Sequence, residues 1–361
     1  MPDPTLDPRP MQDEEPQPLD ERERALHVLS RFAFGPRPGD VDRVLAQGAE
    51  AWVEAQLQPG DIEPGELAVH LASLETLHMP PGPLYEYCTP ALARDATRKE
   101  RSARFRRRLE PRDQLNDAIL RRAVTGERQV EEVLADFWRN HFNVSFTKGF
   151  PVHAYIPDHE QRVVREHTLG SFPEMLHASA TSPGMLYYLD NHLSRRPPTK
   201  AELNDIEHKA RSSSGSRSQG EEAAQIAAQR GLNENYAREL LELHTLGVDK
   251  GYEQEDVIAA AECLTGWTLD RSLTGTHEYR FDHSMHYVED RRFLGFSMRK
   301  DKEKGPGQGL RILEILAKHK GTAQFLATKL VRFLVHDEPP EELVARVALT
   351  YKKEDGDIPA M

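Results

Sequence analysis

The chain has 361 residues, 38% hydrophobic and 29% charged, with 47 basic and 59 acidic side chains and a net charge of −12. The length suits one large domain or two ordinary ones. The acidic balance excludes a general attraction to nucleic acid or anionic membranes and leaves such contacts to a local basic patch, and two cysteines, Cys88 and Cys263, do not make a disulfide framework.

Residues 1–19 carry six prolines and several acids, the composition of a disordered acidic tail. They lack the basic and apolar regions of a signal peptide. No apolar run approaches the ~18 residues a membrane helix needs, so the expected location is cytoplasmic. From 20 to 361 the pattern predicts a helical domain. Asp20 and Glu23 have capping-box spacing, and Ala25, Val28, Leu29 and Phe32 form one stripe. Asp40 caps a second helix that Gly48 stops, and Trp52, Val53 and Leu57 suggest a third. Residues 58–90 are punctuated by Pro and Gly and remain poorly defined.

Eight basic residues lie between Arg98 and Arg112, with helical continuation through Leu115, Ile119 and Val124. Val130, Val133, Leu134, Phe137 and Trp138 follow helical spacing, and His141 extends that apolar stripe. A loop at Gly149-Phe150-Pro151 precedes helical patterns near 160–168 and 172–180. Residues 194–229, with Pro197-Pro198 and a serine run, read as a mobile surface insertion that holds a helical piece at 221–229. Helix resumes over 233–246 and 256–264. Residues 271–300 look irregular, and helices fit 310–319, 322–334 and 341–351. Strand-like alternation is nearly absent. The expected fold is therefore all-α, a single large domain of roughly ten helices.

The densest pattern runs from Gly231 to Trp267. At ~100° per residue, Tyr236, Leu240 and Leu243 share a face, with Asn235, Glu239, Glu242 and Leu246 on its flank. His244 lies about 200° from Glu242 and cannot join that carboxylate. Glu234, Arg238 and Glu242 are i,i+4 partners. One reading is ion pairs on a half-exposed helix. Another is a polar network that locks two helices. The sharper one is a site in which Glu239 and Glu242 hold a divalent metal or act as acid and base. There His141 would be a ligand or proton carrier, Arg238 an orienting charge, and Asn235 a polar neighbour, with Asp190-Asn191 nearby.

The run Asn233-Glu234-Asn235-Tyr236-Ala237-Arg238-Glu239-Leu240, continuing to Leu264-Thr265-Gly266-Trp267, resembles the central signature of the bacterial domain of unknown function 1800 family. Phe137-Trp138-Arg139-Asn140-His141-Phe142 and Pro183-Gly184-Met185-Leu186-Tyr187-Tyr188-Leu189-Asp190-Asn191 resemble two further motifs of that family. The resemblance implies a helical fold and no agreed reaction. It also implies a sulfatase-like partner protein, since relatives sit beside such genes, and many relatives look exported. His286-Tyr287-Val288-Glu289-Asp290-Arg291 departs from the family's His-Asp-x-Gly-x-Lys. The chain stops soon after Asp357 where relatives continue, so a shortened member is expected. Three functions stand as expectations. The first is a metal-assisted or acid/base enzyme. The second is a helical scaffold acting with a partner. The third is polyanion binding through residues 98–112.

Overall fold

In the computed structural model, α1 (Glu21–Phe32) starts at the expected capping box, with Asp20 and Glu23 each accepting the other's backbone N–H. The structure describes residues 18–58, 60, 65–229, 231–248, 250–272, 275–299 and 305–361. The tail expectation for residues 1–17 thus falls outside the described residues. α2 (Asp40–Gln47) and α3 (Ala49–Gln56) complete the N-terminal corner. Gly39 at φ 86°, not Asp40 as expected, is the cap position of α2; Asp40 is the first helical residue, and its carboxylate turns back to accept from Arg37 N–H. Ala25, Leu29, Ala33 and Val44 form a small core there, against Trp52.

The stretch 58–90 is more ordered than its punctuation suggests, with α4 (Gly65–Ala72) and α5 (Pro81–Cys88). Pro81 occupies the first turn of α5, where a missing N–H costs nothing. Next come α6 (Arg98–Thr125), α7 (Gln129–His141), α8 (Phe150–His159), α9 (Phe172–Thr181) and α10 (Pro183–Tyr188). The segment read as an insertion contains α11 (Lys200–Ser214) and α12 (Arg217–Gln229), which pack on each other. α13 (Asn235–Glu239), α14 (Gln254–Cys263), α15 (Gly307–Lys318), α16 (Lys320–Leu334) and α17 (Glu341–Lys353) complete the helices. Between α14 and α15 lie two antiparallel hairpins. β1 (Trp267–Leu269) pairs with β2 (Tyr279–Phe281), and β3 (Arg291–Phe293) with β4 (Phe296–Met298). The fold is all-α apart from these hairpins. It has seventeen α-helices among the described residues, more than expected because several are too short to leave a periodic signature. None of them is long and apolar enough to cross a membrane.

The main core runs from α5 to α17. α7 builds its centre, with Val130, Val133, Leu134, Phe137, Trp138 and His141 all buried as their spacing requires. Cys88 and Cys263 are free thiols inside that core.

Two helices are wound locally as π-helix. α8 continues through Glu160–Arg165 and α13 through Leu240–Thr245 in this form. The i→i+5 winding inserts one residue per turn and rotates every residue beyond it. In the second segment Leu246 N–H reaches Leu241 O at 2.8 Å. The α-helical wheel therefore fails beyond Leu240. Leu243, expected inside, is 48% exposed, while His244 and Leu246 are buried.

Gly309 on α15 marks a close approach. A Cβ there would lie 2.6 Å from the indole of Trp267, which is fully buried. In an open helix Gly→Ala stabilises by about 0.5–1 kcal/mol. Here Gly309→Ala is expected to destabilise by about 1–2 kcal/mol, because overpacking dominates. Urea denaturation of the variant checks the sign.

Candidate functional site

The sequence-predicted carboxylates sit on the helix that begins as α13. Arg238 donates to Gln254 Oε1 at 2.9 Å and Glu234 Oε2 at 3.4 Å, and lies 3.5 Å from Glu242. The i,i+4 pairs are therefore present. Asn235 is exposed, and its backbone N–H donates to Asn233 Oδ1. Burial, and then the charge of Glu242, raise the pKa of half-buried Glu239, with Arg238 opposing. His141 is not gathered with these carboxylates. Among the described residues, no three His, Cys, Asp or Glu side chains are placed to hold a metal ion.

His141 instead ends α7 inside the core, 3% exposed. Its Nε2 lies 3.1 Å from the carbonyl of His244 and its Nδ1 lies 2.8 Å from Lys329 Nζ. A carbonyl only accepts, so Nε2 carries the proton and Nδ1 accepts from the ammonium. Burial, then the nearby Lys329 charge, holds the His141 pKa well below the ordinary imidazole range. Lys329, on α16, has its amine 5.3 Å from the Phe325 ring centre and 5.8 Å from that of Phe137. No carboxylate pairs with it among the described residues. Burial lowers its pKa to about 8.

The His244 ring faces the same interior, 6.1 Å from that of His141 and 5.1 Å from Phe142. Burial and the Lys329 charge take its pKa to about 3. His244 is thus buried in the core, while Glu242 is partly exposed beside Arg238.

The buried imidazoles share a structural use. A helix ends with carbonyls that have no partner within the helix. His141 closes one of these at His244, in the last turn of the π-helical segment. His159 Nε2 donates to Phe142 O, just past α7, at 2.9 Å. His192 Nδ1 donates to Leu186 O near the end of α10 at 3.1 Å. His286 Nδ1 donates to Thr265 O, just past α14, at 2.9 Å. His141, His159 and His286 reach across a tertiary contact and His192 reaches back locally, each to a helix end that packing has removed from water. Asn191 obeys the same logic, donating to Leu264 O and Trp267 O, and Asn233 donates to Leu189 O and Asp190 O. Apart from the local His192–Leu186 contact, periodicity could not reveal these contacts, because the partner carbonyl belongs to a segment elsewhere in the chain.

A buried ion network lies on the other side of α7. Arg165 binds Glu132 through both guanidinium nitrogens at 2.8 Å and reaches Glu131 at 2.9 Å. Arg139 binds Glu160 in the same two-pronged way at 2.9 Å. Burial alone would raise the Glu160 pKa, but Arg139, with Arg165 and Arg122, holds it below the usual carboxylate value. Glu160 and Arg165 are five residues apart, about 140° on an α-helix. The π winding brings them round toward one side.

Residues 98–112 occupy the first half of α6. Part of that charge is absorbed locally: Arg112 pairs with Asp113, and the Arg107 and Arg108 guanidiniums lie over Tyr87 and Phe150.

These features define a class: a helical protein whose buried imidazoles and amides fasten helix ends, with a half-buried lysine, Lys329, against His141. The chain belongs to the family described as "Protein of unknown function (DUF1800)", which matches residues 27–361. No match was found among curated proteins or among solved structures.

Proposed function

We propose that the protein is an acid–base enzyme whose reacting base is the Lys329 amine, held in place by His141. The carrying observation is the 2.8 Å contact between Lys329 Nζ and His141 Nδ1. It supplies a nucleophile or base, its hydrogen-bond partner, and a third group, the His244 carbonyl, that orients the partner. A lysine whose pKa lies at about 8 is a neutral amine in part of the population near neutral pH. It can take a proton from substrate or add to a carbonyl. Glu239 and Glu242 remain in the proposal as a half-buried carboxylate pair, with Arg238 as the adjoining charge.

Competitive acetylation across a neutral-to-alkaline pH range, read lysine by lysine by mass spectrometry, tests this reading. Lys329 is expected to label with a midpoint at about 8, well below the ~10.4 of ordinary lysines. A Lys329 that titrates with the other lysines would sink it.

A second reading, a non-catalytic helical scaffold acting with a partner, is favoured by a different observation. Asn191, Asn233, His141 and His286 all donate to backbone carbonyls. Under this reading His141→Ala lowers thermal stability, and the survivors keep partner binding. Full stability with loss of a measurable activity would end it.

A further inference from the structure

We propose that Arg271, Tyr187, His192 and Lys148 form a binding site for a small oxyanion, either a carboxylate or a phosphate monoester. The Arg271 guanidinium lies over the Tyr187 ring, 5.5 Å from its centre. The His192 ring stacks on the same tyrosine at 4.8 Å and 18°. Arg271 Nη1 stands 3.5 Å from His192 Nε2. His192 donates through Nδ1 to Leu186 O, so Nε2 presents a lone pair and the ring brings no negative charge to the guanidinium.

Arg271 is exposed, and no carboxylate pairs with it among the described residues. A guanidinium has five N–H donors in a rigid fork. One of them faces the imidazole, which leaves an edge for two-pronged recognition of a carboxylate or phosphate. Stacking on Tyr187 holds the fork in place before any ligand arrives, so less ordering is required on binding.

Charges of both signs surround the platform. Lys148 Nζ contacts Asp190 Oδ2 at 2.6 Å. The charges of Arg271, Lys148 and Asp190 all bear on the His192 ring. Arg271 and Lys148 are the cations that bear on His192, Asp190 already engages Lys148, and Asp270 and Glu86 act on His277 beyond, so the fork of Arg271 is the cationic group left for a ligand. Asp190 holds its position from a left-handed backbone conformation, φ 60°, which is uncommon outside glycine and gathers at binding and active sites. Next to the platform, Tyr155 OH meets His277 Nδ1 at 2.7 Å, and His277, also left-handed at φ 57°, stacks on Tyr85 at 4.2 Å. Tyr155 and His277, both buried, back the platform from the core side.

The test titrates the full chain with inorganic phosphate and, separately, with acetate at constant ionic strength. Binding is followed by calorimetry and by the imidazole ¹⁵N signals of His192. Saturable binding of phosphate alone points to a phosphate monoester, and binding of both anions extends the site to carboxylates. Arg271→Gln is expected to weaken binding about 10–100-fold, the loss of a charge-assisted two-pronged contact. Arg271→Lys, which keeps the charge without the fork, should fall between the two. Arg271 is exposed, so thermal stability should be nearly unchanged, and a melting curve confirms that each variant is folded. Absence of saturable binding, or equal binding by folded Arg271→Gln, overturns the proposal.

Discussion

Arg165→Ala is expected to lower the unfolding free energy by about 3–5 kcal/mol, among the largest effects of any charged substitution in this protein. The reason is what stays behind. Arg165 and Glu132 have side chains only 11% and 7% exposed, and Arg165 also reaches Glu131. Removing the guanidinium strands the Glu132 carboxylate in a low-dielectric interior, where burial already pushes its pKa up despite Arg165. The double variant Arg165→Met with Glu132→Met removes both charges, and should recover a large part of the loss. Urea denaturation of the single and double variants measures this directly. A single-variant loss below about 1 kcal/mol, the scale of a surface ion pair, would show that water reaches the network.

Acidification supplies the second large effect. His159 and His244 are buried and uncharged in the fold, with pKa values of about 4 and about 3. In the unfolded chain an imidazole titrates near ~6.5, so between these limits the unfolded state binds more protons. Their contribution to stability is complete above the unfolded value and drains away as pH falls toward the folded ones. From pH 7 to pH 5 the two together should remove about 4 kcal/mol. His141, also depressed, adds in the same direction. Lys329 does not contribute to this window, because its folded pKa of about 8 places its own change at alkaline pH. Denaturant-derived stabilities at pH 7, 6 and 5 should fall with increasing slope. Equal stabilities across that range would contradict the burial of these rings.

Much of the helical architecture is legible from residue spacing. The α7 stripe from Val130 to His141, the capping box at Asp20, and the helices α14 to α17 arise from periodicity and end signals. Two kinds of feature are not legible. The first is winding. A π segment adds one residue per turn without a sequence marker, so the wheel places Leu243 inside and the structure places it outside. The second is pairing across the chain. His141 is recognisable as buried, but its partners, Lys329 and the His244 carbonyl, lie 188 and 103 residues away. The Arg238 ion pairs are readable because they are local. Lys329 carries no local signal, since a lone lysine between two phenylalanines on a helix reads as an ordinary surface position. Arg271 likewise sits in an irregular stretch, where nothing in the spacing points to Tyr187.

The imidazole caps also bear on how the molecule opens. A helix end closed by its own side chain can fray and reform alone. One closed by a ring 103 residues away can open only when two distant segments separate. The final turns of α7 and of the π-helical segment are tied through His141, and α7 is tied in turn to the end of α8 through His159. Backbone amides in these turns should therefore exchange with solvent at one common rate, as a single cooperative unit. Fraying that helix ends usually allow is here suppressed until the whole unit comes apart.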